Sequence, residues 1–572
     1  MIALIPFYFF IGMLSLIWAQ PILFISRPSK AINPLLAMLV GLSFMSILAM
    51  LMLFVGPINL ISQVLFWLSS AGIAWLSRSN LKHQLHLLIK VFSAWSKPQL
   101  SSFILLAISI LYQSAQASKI HDNGAYYQQT IQWMEQFGLV KGLANLYPAL
   151  GLYSNWHALT ALLDLNQIGL GSYHQINGYL MLLFLAWALN EYFIQKQFIY
   201  LTWIAICLCL GFFYLTAPSA DLAVLLLSGI LVYYFIKGIE PEQSVFFAVL
   251  ALAIFLIKPP AMVSIALCVY LVYLNRKKYR NTILLALFSI AMIGSFFYKN
   301  TVLSGYLFYP NNQPDWFRVE WKVPKNWSEV YTKGIVSWGV SDKQQVSTWN
   351  TISKQEKTNR LVLWLNRPGY KGFMNQLLFA NWLLAIIGLV VFARSIWKHH
   401  KALLFLLLFL ITAHYWEWLK LSQYRLMLPT GMGLLLLWLS VYSTFGKPLL
   451  QNKWVHQFVM MATIAMIWAL SFFPFQLFQE GSRNKQITAS TGFNSNYLLE
   501  PFHQYEYGPM SFIRINGKAF YHYQQTKLSW NCALPCVSKS HHDFLLENLG
   551  YEVQMLGDNP ATGFKLVQQT KP

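Results

Sequence analysis

The chain has 572 residues, of which 56% are hydrophobic, 16% aromatic and only 11% charged. That composition excludes an ordinary soluble domain, and repeated apolar runs of about 20 residues point to helices that span a bilayer. The net charge of +21 is scattered over many short loops, as the positive-inside pattern requires, so nucleic acid is excluded as a partner. Barrel strands would alternate over short segments, and no such pattern is present.

The first run, 2–25, lacks a basic leader and is too long for a signal-peptide core, so it is expected to be the first span. Spans are then expected at 33–54, 57–76 and 100–117. Arg27 and Lys30 follow the first, and Arg78, Lys82, Lys90 and Lys97 follow the third. Both basic segments are expected on the cytoplasmic side. The fourth span then delivers a polar, aromatic island of about 45 residues, Lys119–Asp164, to the outer face.

Within the island, Tyr126, Gln129, Trp133 and Phe137 recur at helical spacing. Gly138 and Gly142 end that run. A second short helix is expected over 156–165. With Trp and Tyr on their faces, both are expected to lie flat at the membrane interface. The island carries Asp122 and Glu135 in a region that spends acids sparingly.

Further spans are expected at 174–194, 198–216 and 222–236. Asp221 falls in the outer turn TAPSADL. Two short apolar pieces, 245–257 and 261–274, meet at Lys258-Pro259-Pro260, and the basic loop NRKKYR follows. Lys258 therefore sits at a break on the outer side, where irregular backbone must line a cavity or be buried. After the span 283–297 comes a second outer loop, 300–371. Spans 375–392, 403–418, 426–442 and 456–473 complete a total of about 13 to 14. Lys420, Tyr424 and Arg425 occupy a short outer turn. The chain thus divides into a membrane domain, 1–473, and a polar outer tail, 474–572, in which strands are expected at 517–523 and 564–567.

Asp122, Asp221, Lys258 and Arg425 are expected to share one face. Lys and Arg neutralise phosphate, Arg with two parallel bonds. A carboxylate can take a proton from an acceptor hydroxyl. Each residue has a purely structural alternative: Asp122 and Asp221 as helix N-caps, Lys258 as a snorkelling cation and Arg425 as an interface anchor. His121, His157 and His174 lie in or near the island, but no HxxxH or HxxE spacing joins them. No cofactor is specified, and a divalent metal is left open. Cys207, Cys209 and Cys268 lie in apolar runs and are packing residues. Cys532 and Cys536, in NCALPC, could pair in an oxidising compartment.

The segment HDNGAYYQQTIQWMEQFGLVKGLANLYPALGLYSNWHALTALLD resembles the corresponding loop of GT-C glycosyltransferases, and more closely that of a group of large bacterial membrane proteins with GT-C-like architecture. The likeness rests on His121-Asp122, on Gly142-Leu143-Ala144-Asn145-Leu146 and on Ser154-Asn155-Trp156. PSADL, the Lys258 break and LSGYLFYP extend it over about two-thirds of the chain. The acidic loop here follows the fourth span rather than the first, and a lone Asp replaces the paired acids many GT-C enzymes carry. The resemblance implies an all-α polytopic fold with interfacial helices and a small α+β outer domain, placed in the bacterial inner membrane. It implies transfer, with inversion, of a sugar from a polyprenyl-phosphate donor to a glycan, lipid or protein acceptor on the periplasmic face. Asp122 then matches the acceptor-activating acid, and Lys258 and Arg425 match the donor-phosphate binders. His121, Tyr126, Asn155, His157 and Asp221 are candidate substrate-binding residues. The alternatives are an O-antigen polymerase or ligase and a flippase for lipid-linked sugars.

Overall fold

The computed structural model describes the chain except for residues 27, 29–31, 119, 262, 277–278, 342–345, 400, 446–452, 473–475, 479–486, 489–493, 502–508, 525, 527 and 570–572. Lys119, the loop cations Arg27, Lys30 and Lys278, and the domain boundary expected at 473/474 lie outside the described residues. All the segments expected to cross the membrane are helical. Among the described residues, eight helices are long and apolar enough to span a bilayer, or nine if one bent pair counts as a span. The protein is therefore an all-α, multi-pass membrane protein.

Thirteen to fourteen full spans is too many. The helices Ser244–Ile257 and Val263–Leu274 are apolar but short. Fourteen residues of helix reach only about 21 Å, against about 30 Å of hydrocarbon. The bent pair is Leu60–Leu76 and Arg78–Ser93, which meet at 86°. The basic stretch expected as a loop is thus a helix that turns sharply away, with Lys82 and Lys90 exposed.

The first two helices, Leu4–Ser26 and Pro34–Met52, pack together where Gly41 meets the Ser15 carbonyl. A Cβ on Gly41 would lie 1.8 Å from that oxygen, so only glycine permits the approach. Pro34–Met52 also packs against Ser244–Ile257 and against the island helix Asn155–Leu163. Ala220–Lys237 packs between Ser244–Ile257 and Tyr424–Phe445. These contacts gather the island, the Asp221 turn, the Lys258 break and the Arg425 turn at one end of the bundle.

The island does not lie flat at an interface. Its first helix is a π-helical turn, Asn123–Tyr127, continued by α-helix Gln128–Gln136. Its second, Asn155–Leu163, is buried on every side. The segment NWHALTALL is apolar nearly all round, and such a helix belongs in a core. Trp133 and Trp156 are fully enclosed. The aromatic faces are core, not a membrane belt.

The described tail pieces are α+β, as expected. Strands Met510–Ile515 and Lys518–Tyr523 form one antiparallel hairpin, and Tyr551–Met555 pairs with Phe564–Gln568 in another, with helix Lys539–Leu549 between them. The tail is fastened to the island. Trp530 N–H donates to the Gly124 carbonyl (2.7 Å), and Gln129 Nε2 donates to the carbonyls of Trp530 and Cys532 (2.9 Å each). Phe564 N–H donates to the Lys141 carbonyl (2.9 Å), and the Phe564 ring meets Trp133 edge-on. Cys532 and Cys536 are buried free thiols in a small cluster with Tyr523 and Trp530. The expected disulfide is not formed. The two thiols are neighbours, and burial first, then Cys532, pushes the Cys536 thiol well up, which keeps it protonated.

Gly124 is where the tail is seated. A Cβ there would lie 2.4 Å from the Trp530 ring, and an aromatic ring in a packed site cannot give way cheaply. Gly124→Ala is expected to lift the tail and cost about 1–3 kcal/mol. Limited proteolysis of the purified protein should then cut the tail faster than in the parent while the helical bundle stays intact.

Candidate functional site

Asp122 opens the π-helical turn, but its side chain caps nothing. Its carboxylate instead accepts a charged hydrogen bond from Arg425 Nη1, across 303 residues of chain. His121 Nδ1 lies 3.5 Å from the other carboxylate oxygen, with the imidazole largely exposed. Burial alone would raise the Asp122 pKa. The Arg425 charge and the His121 contacts outweigh it and hold the carboxyl well below the usual carboxylate range. The N-cap alternative for Asp122 is not realised.

Asp221 is likewise not the cap of its helix. Ser219 occupies that position and accepts from the Asp221 N–H (3.3 Å). The Asp221 carboxylate faces inward and accepts from Lys258 Nζ. Lys258 terminates Ser244–Ile257 in extended conformation, so the Pro-Pro break turns its amine toward Asp221 rather than outward. Burial lowers the Lys258 pKa, Asp221 opposes that, and Arg425 adds to the lowering. The two ion pairs therefore feel one another. Tyr127 Oη, 3.3 Å from Ser219 Oγ, links the Asp122 turn to the Asp221 turn.

The turn that carries Arg425 is held rigidly. Gln423 Oε1 accepts from Arg425 Nε (3.1 Å), and Gln423 Nε2 donates to the Ile335 carbonyl (2.9 Å). Trp364 Nε1 donates to the Ser422 carbonyl (2.6 Å). Ile335 lies on the helix Lys325–Val340 of the loop 300–371, whose Tyr331 has its pKa raised by burial first, then by Tyr147 and Asp122. That loop thus borders the site.

The sequence-predicted constellation is assembled: Asp122, Asp221, Lys258 and Arg425 come together as two adjacent ion pairs. Asp221 is nearly sealed, with 3% of its side chain exposed, whereas Asp122, Lys258 and Arg425 retain 16%, 22% and 28%. Three of the four remain within reach of a ligand. Tyr126 and His157 lie beside them, their ring centroids 6.5 Å apart, and Tyr127 comes within 4.8 Å of His157. His157 is enclosed, and neither ring nitrogen makes a well-directed hydrogen bond. Burial pushes its pKa down to about 3, against a smaller opposing pull from the Pro218 carbonyl, so the ring is neutral. Both polar atoms of the buried Asn155 lack partners too, as do the hydroxyls of Tyr153 and Tyr309. Buried polar atoms rarely stay unpaired, so such a group marks a place for a polar ligand or for water.

Three residues escaped the sequence reading. Asn177 orders the site from behind: it accepts from Trp156 Nε1 (2.7 Å) and donates to the Ser219 carbonyl (3.1 Å). Lys299 is buried near the end of helix Tyr279–Ser304 and donates to the Tyr153 carbonyl (2.5 Å). Among the described residues it has no acidic partner. Its place inside an apolar run, as KNTVLSG, was the available signal. The third is Asp164, which with Glu135 and His174 offers ligand atoms within 4.8 Å of one another and could hold a metal.

Residues 1–432 match the model of a family described as a domain of unknown function, DUF8201. The chain belongs to the DUF8201 family. The match ends shortly after Arg425, so both ion pairs lie inside the family domain and Cys532 and Cys536 outside it. No curated protein and no solved structure matches the chain.

The depressed Asp122 pKa has a pH consequence. A carboxyl lowered on folding contributes stability that is present above its unfolded pKa, about 4, and is lost as pH falls below that. Thermal stability in detergent should decline as pH falls from about 4 toward 2, and Asp122→Asn should flatten that slope. For the other pair, Asp221→Asn or Lys258→Met alone should cost about 1–3 kcal/mol, because each strands a partly buried charge. The double variant should recover most of the loss in the same melting assay.

Proposed function

We propose that the protein is a membrane glycosyltransferase that moves a sugar from a polyprenyl-phosphate donor to an acceptor hydroxyl at this site. The observation that carries the reading is the convergence of two acids and two bases, from four distant segments, into paired and partly accessible charges at one end of a helical bundle. The unpaired ring nitrogens of His157, beside Lys258 and Asp221, suit a sugar hydroxyl.

The ion pairs change the mechanism that the residues alone suggest. A carboxylate held by Arg425 is a weak base. The donor phosphate competes with the carboxylates for Arg425 and Lys258, and so frees Asp122. Asp122 then takes the proton of the acceptor hydroxyl. The acceptor oxygen bonds to the anomeric carbon as the carbon–oxygen bond to phosphate breaks, with inversion. The bonding electrons pass to the phosphate oxygen, where Lys258 and Arg425 meet the developing charge. His157, neutral and enclosed, accepts or donates a hydrogen bond to the sugar without adding charge. The active face is the periplasmic side of a bacterial inner membrane, and the tail lies on that side because it packs on the island.

Asp122→Asn should fold and still bind donor lipid, but transfer sugar about 10²–10⁴-fold more slowly. Lys258→Ala should weaken donor binding or slow phosphate departure. The assay follows labelled sugar leaving a polyprenyl-phosphate donor in membranes that contain each variant. Full activity in Asp122→Asn would overturn the base assignment. A product of many repeat units from a lipid-linked oligosaccharide would favour a polymerase, and movement of intact donor across vesicles without transfer would favour a flippase. For orientation, a cysteine at His121 should react with impermeant thiol reagents in intact cells, whereas one at Arg276 should not. The reverse pattern would place the site in the cytoplasm.

A further inference from the structure

A second cluster lies at the base of the island, apart from the two ion pairs. Glu135 comes from the helix Gln128–Gln136, Asp164 ends the helix Asn155–Leu163, and His174 precedes the helix Ile176–Gln195. We propose that Glu135, Asp164 and His174 form a divalent-cation site that fixes the base of the island.

The geometry is that of a prepared site. The ligand atoms of all three residues lie within 4.8 Å of one another. His174 Nε2 is 3.5 Å from Asp164 Oδ2, close to the spacing of about 3.4 Å for two ligands each about 2.1 Å from one tetrahedral ion. Asp164 is set in place by the Tyr173 N–H (2.8 Å) and the Ser172 hydroxyl (3.0 Å), and the Ser172 hydroxyl also lies 3.0 Å from His174 Nε2. The Tyr173 N–H binds Asp164 Oδ1 and orients the carboxylate from outside, whereas the Ser172 hydroxyl bridges the two atoms that a bound cation would take from it.

A second observation points to a ligand. Glu135 Oε1 is shielded from solvent and accepts no hydrogen bond. Among the described residues, neither Glu135 nor Asp164 pairs with a lysine or arginine. Behind them, the fully enclosed Gln63 donates from Nε2 to the carbonyls of Asp164 (2.8 Å) and Ala161 (3.2 Å). Its own Oε1 is also shielded and unpaired. Two adjoining carboxyl groups in a protein interior need a shared proton or a positive charge beside them, from a protonated His174 or a bound cation. The imidazole beside Asp164 supplies a nitrogen ligand to complement the two carboxylates.

The donor set selects the ion. Two carboxylates with one imidazole suit Mn²⁺ or Zn²⁺. Ca²⁺ and Mg²⁺ favour all-oxygen shells. Bound there, the ion joins the helices Gln128–Gln136 and Asn155–Leu163, which already pack together, to the segment that precedes Ile176–Gln195. It thereby fixes the far end of the helix whose first turn carries Asn155 and His157. This inference stands apart from the glycosyl-transfer reading, since no step of that reaction uses these residues.

The test uses the full chain without a histidine tag, purified in detergent and stripped with a chelator. Mn²⁺ or Zn²⁺ is returned by dialysis. Metal content is read by mass spectrometry, Mn²⁺ also by its paramagnetic resonance spectrum, and thermal unfolding is followed alongside. The parent should take up one equivalent and melt higher as free cation rises. Asp164→Asn, Glu135→Gln and His174→Gln should each weaken binding by about ten-fold or more. Asp122→Asn should leave the stoichiometry at one. His174→Gln, partly exposed, is the variant least apt to unfold, and it decides the matter if the others do. Uptake far below one equivalent by the parent, or unchanged uptake by His174→Gln, would overturn the site.

Discussion

The ion pair between Asp122 and Arg425 is the constraint on which the island's end of the bundle depends. It closes 303 residues of chain, and closure entropy grows only slowly with that length. The pair itself is partly exposed and cannot hold the bundle together alone. What it does is exclude alternatives. A lone charge in these surroundings is costly, so any arrangement that separates the island from the Arg425 turn strands both partners. The same holds for Asp221 and Lys258. Two satisfied pairs, side by side, select the one packing in which four segments meet.

That packing places irregular backbone inside protein, which is tolerated only if its polar groups are paired. The island meets this condition with amide side chains rather than regular secondary structure. Asn145 donates to the carbonyls of Trp321 and Phe564, Gln129 to two carbonyls of the tail, and Asn177 to the turn before Asp221. The tail and the second outer loop are therefore part of the island's structure, not appendages. Gly142, in left-handed conformation at φ +62°, brings the island backbone against the Phe564 carbonyl. This end of the bundle is one continuous body built from the island, the loop 300–371 and the last strands of the chain.

Much of this was legible in the sequence. The multi-pass helical fold followed from apolar runs, and the four charged residues followed from the scarcity of acids together with the side on which each loop should fall. Lys258 was placed by the proline break, and the tail strands 517–523 and 564–567 fell within a residue or so of those observed. Other features were hidden for physical reasons. Periodicity shows that a helix has an aromatic face but not what covers it, so Trp133 and Trp156 were placed at the membrane surface when they lie in the core. Apolar composition does not reveal whether a helix of 14 residues crosses or stops short, which inflated the span count. Glu135, Asp164 and His174 are too far apart in sequence for any ligand spacing to register, and Asn177 looks like any asparagine in an apolar run. Cys532 and Cys536 are close in sequence and in space, yet closeness does not settle whether thiols are oxidised.

Charge balance bears on how such a site could work. The two acids and two bases sum to zero, so the resting arrangement needs no counter-ion. An anionic group that took Lys258 and Arg425 for itself would leave Asp122 and Asp221 facing one another's charge at the edge of an apolar interior. Removing Arg425 from Asp122 also removes the largest influence that lowers its pKa, and burial then raises it against the His121 contacts alone. Asp122 would become proton-seeking only once an anion had displaced it. On the glycosyl-transfer reading, this ties the appearance of the base to the arrival of the donor, and water meeting the site without donor finds a carboxylate too weakly basic to be activated by it. As Asp122 takes the acceptor proton, the phosphate takes the bonding electrons, so one negative charge moves from the carboxylate to the phosphate beside Lys258 and Arg425. Net charge is thereby conserved through the step.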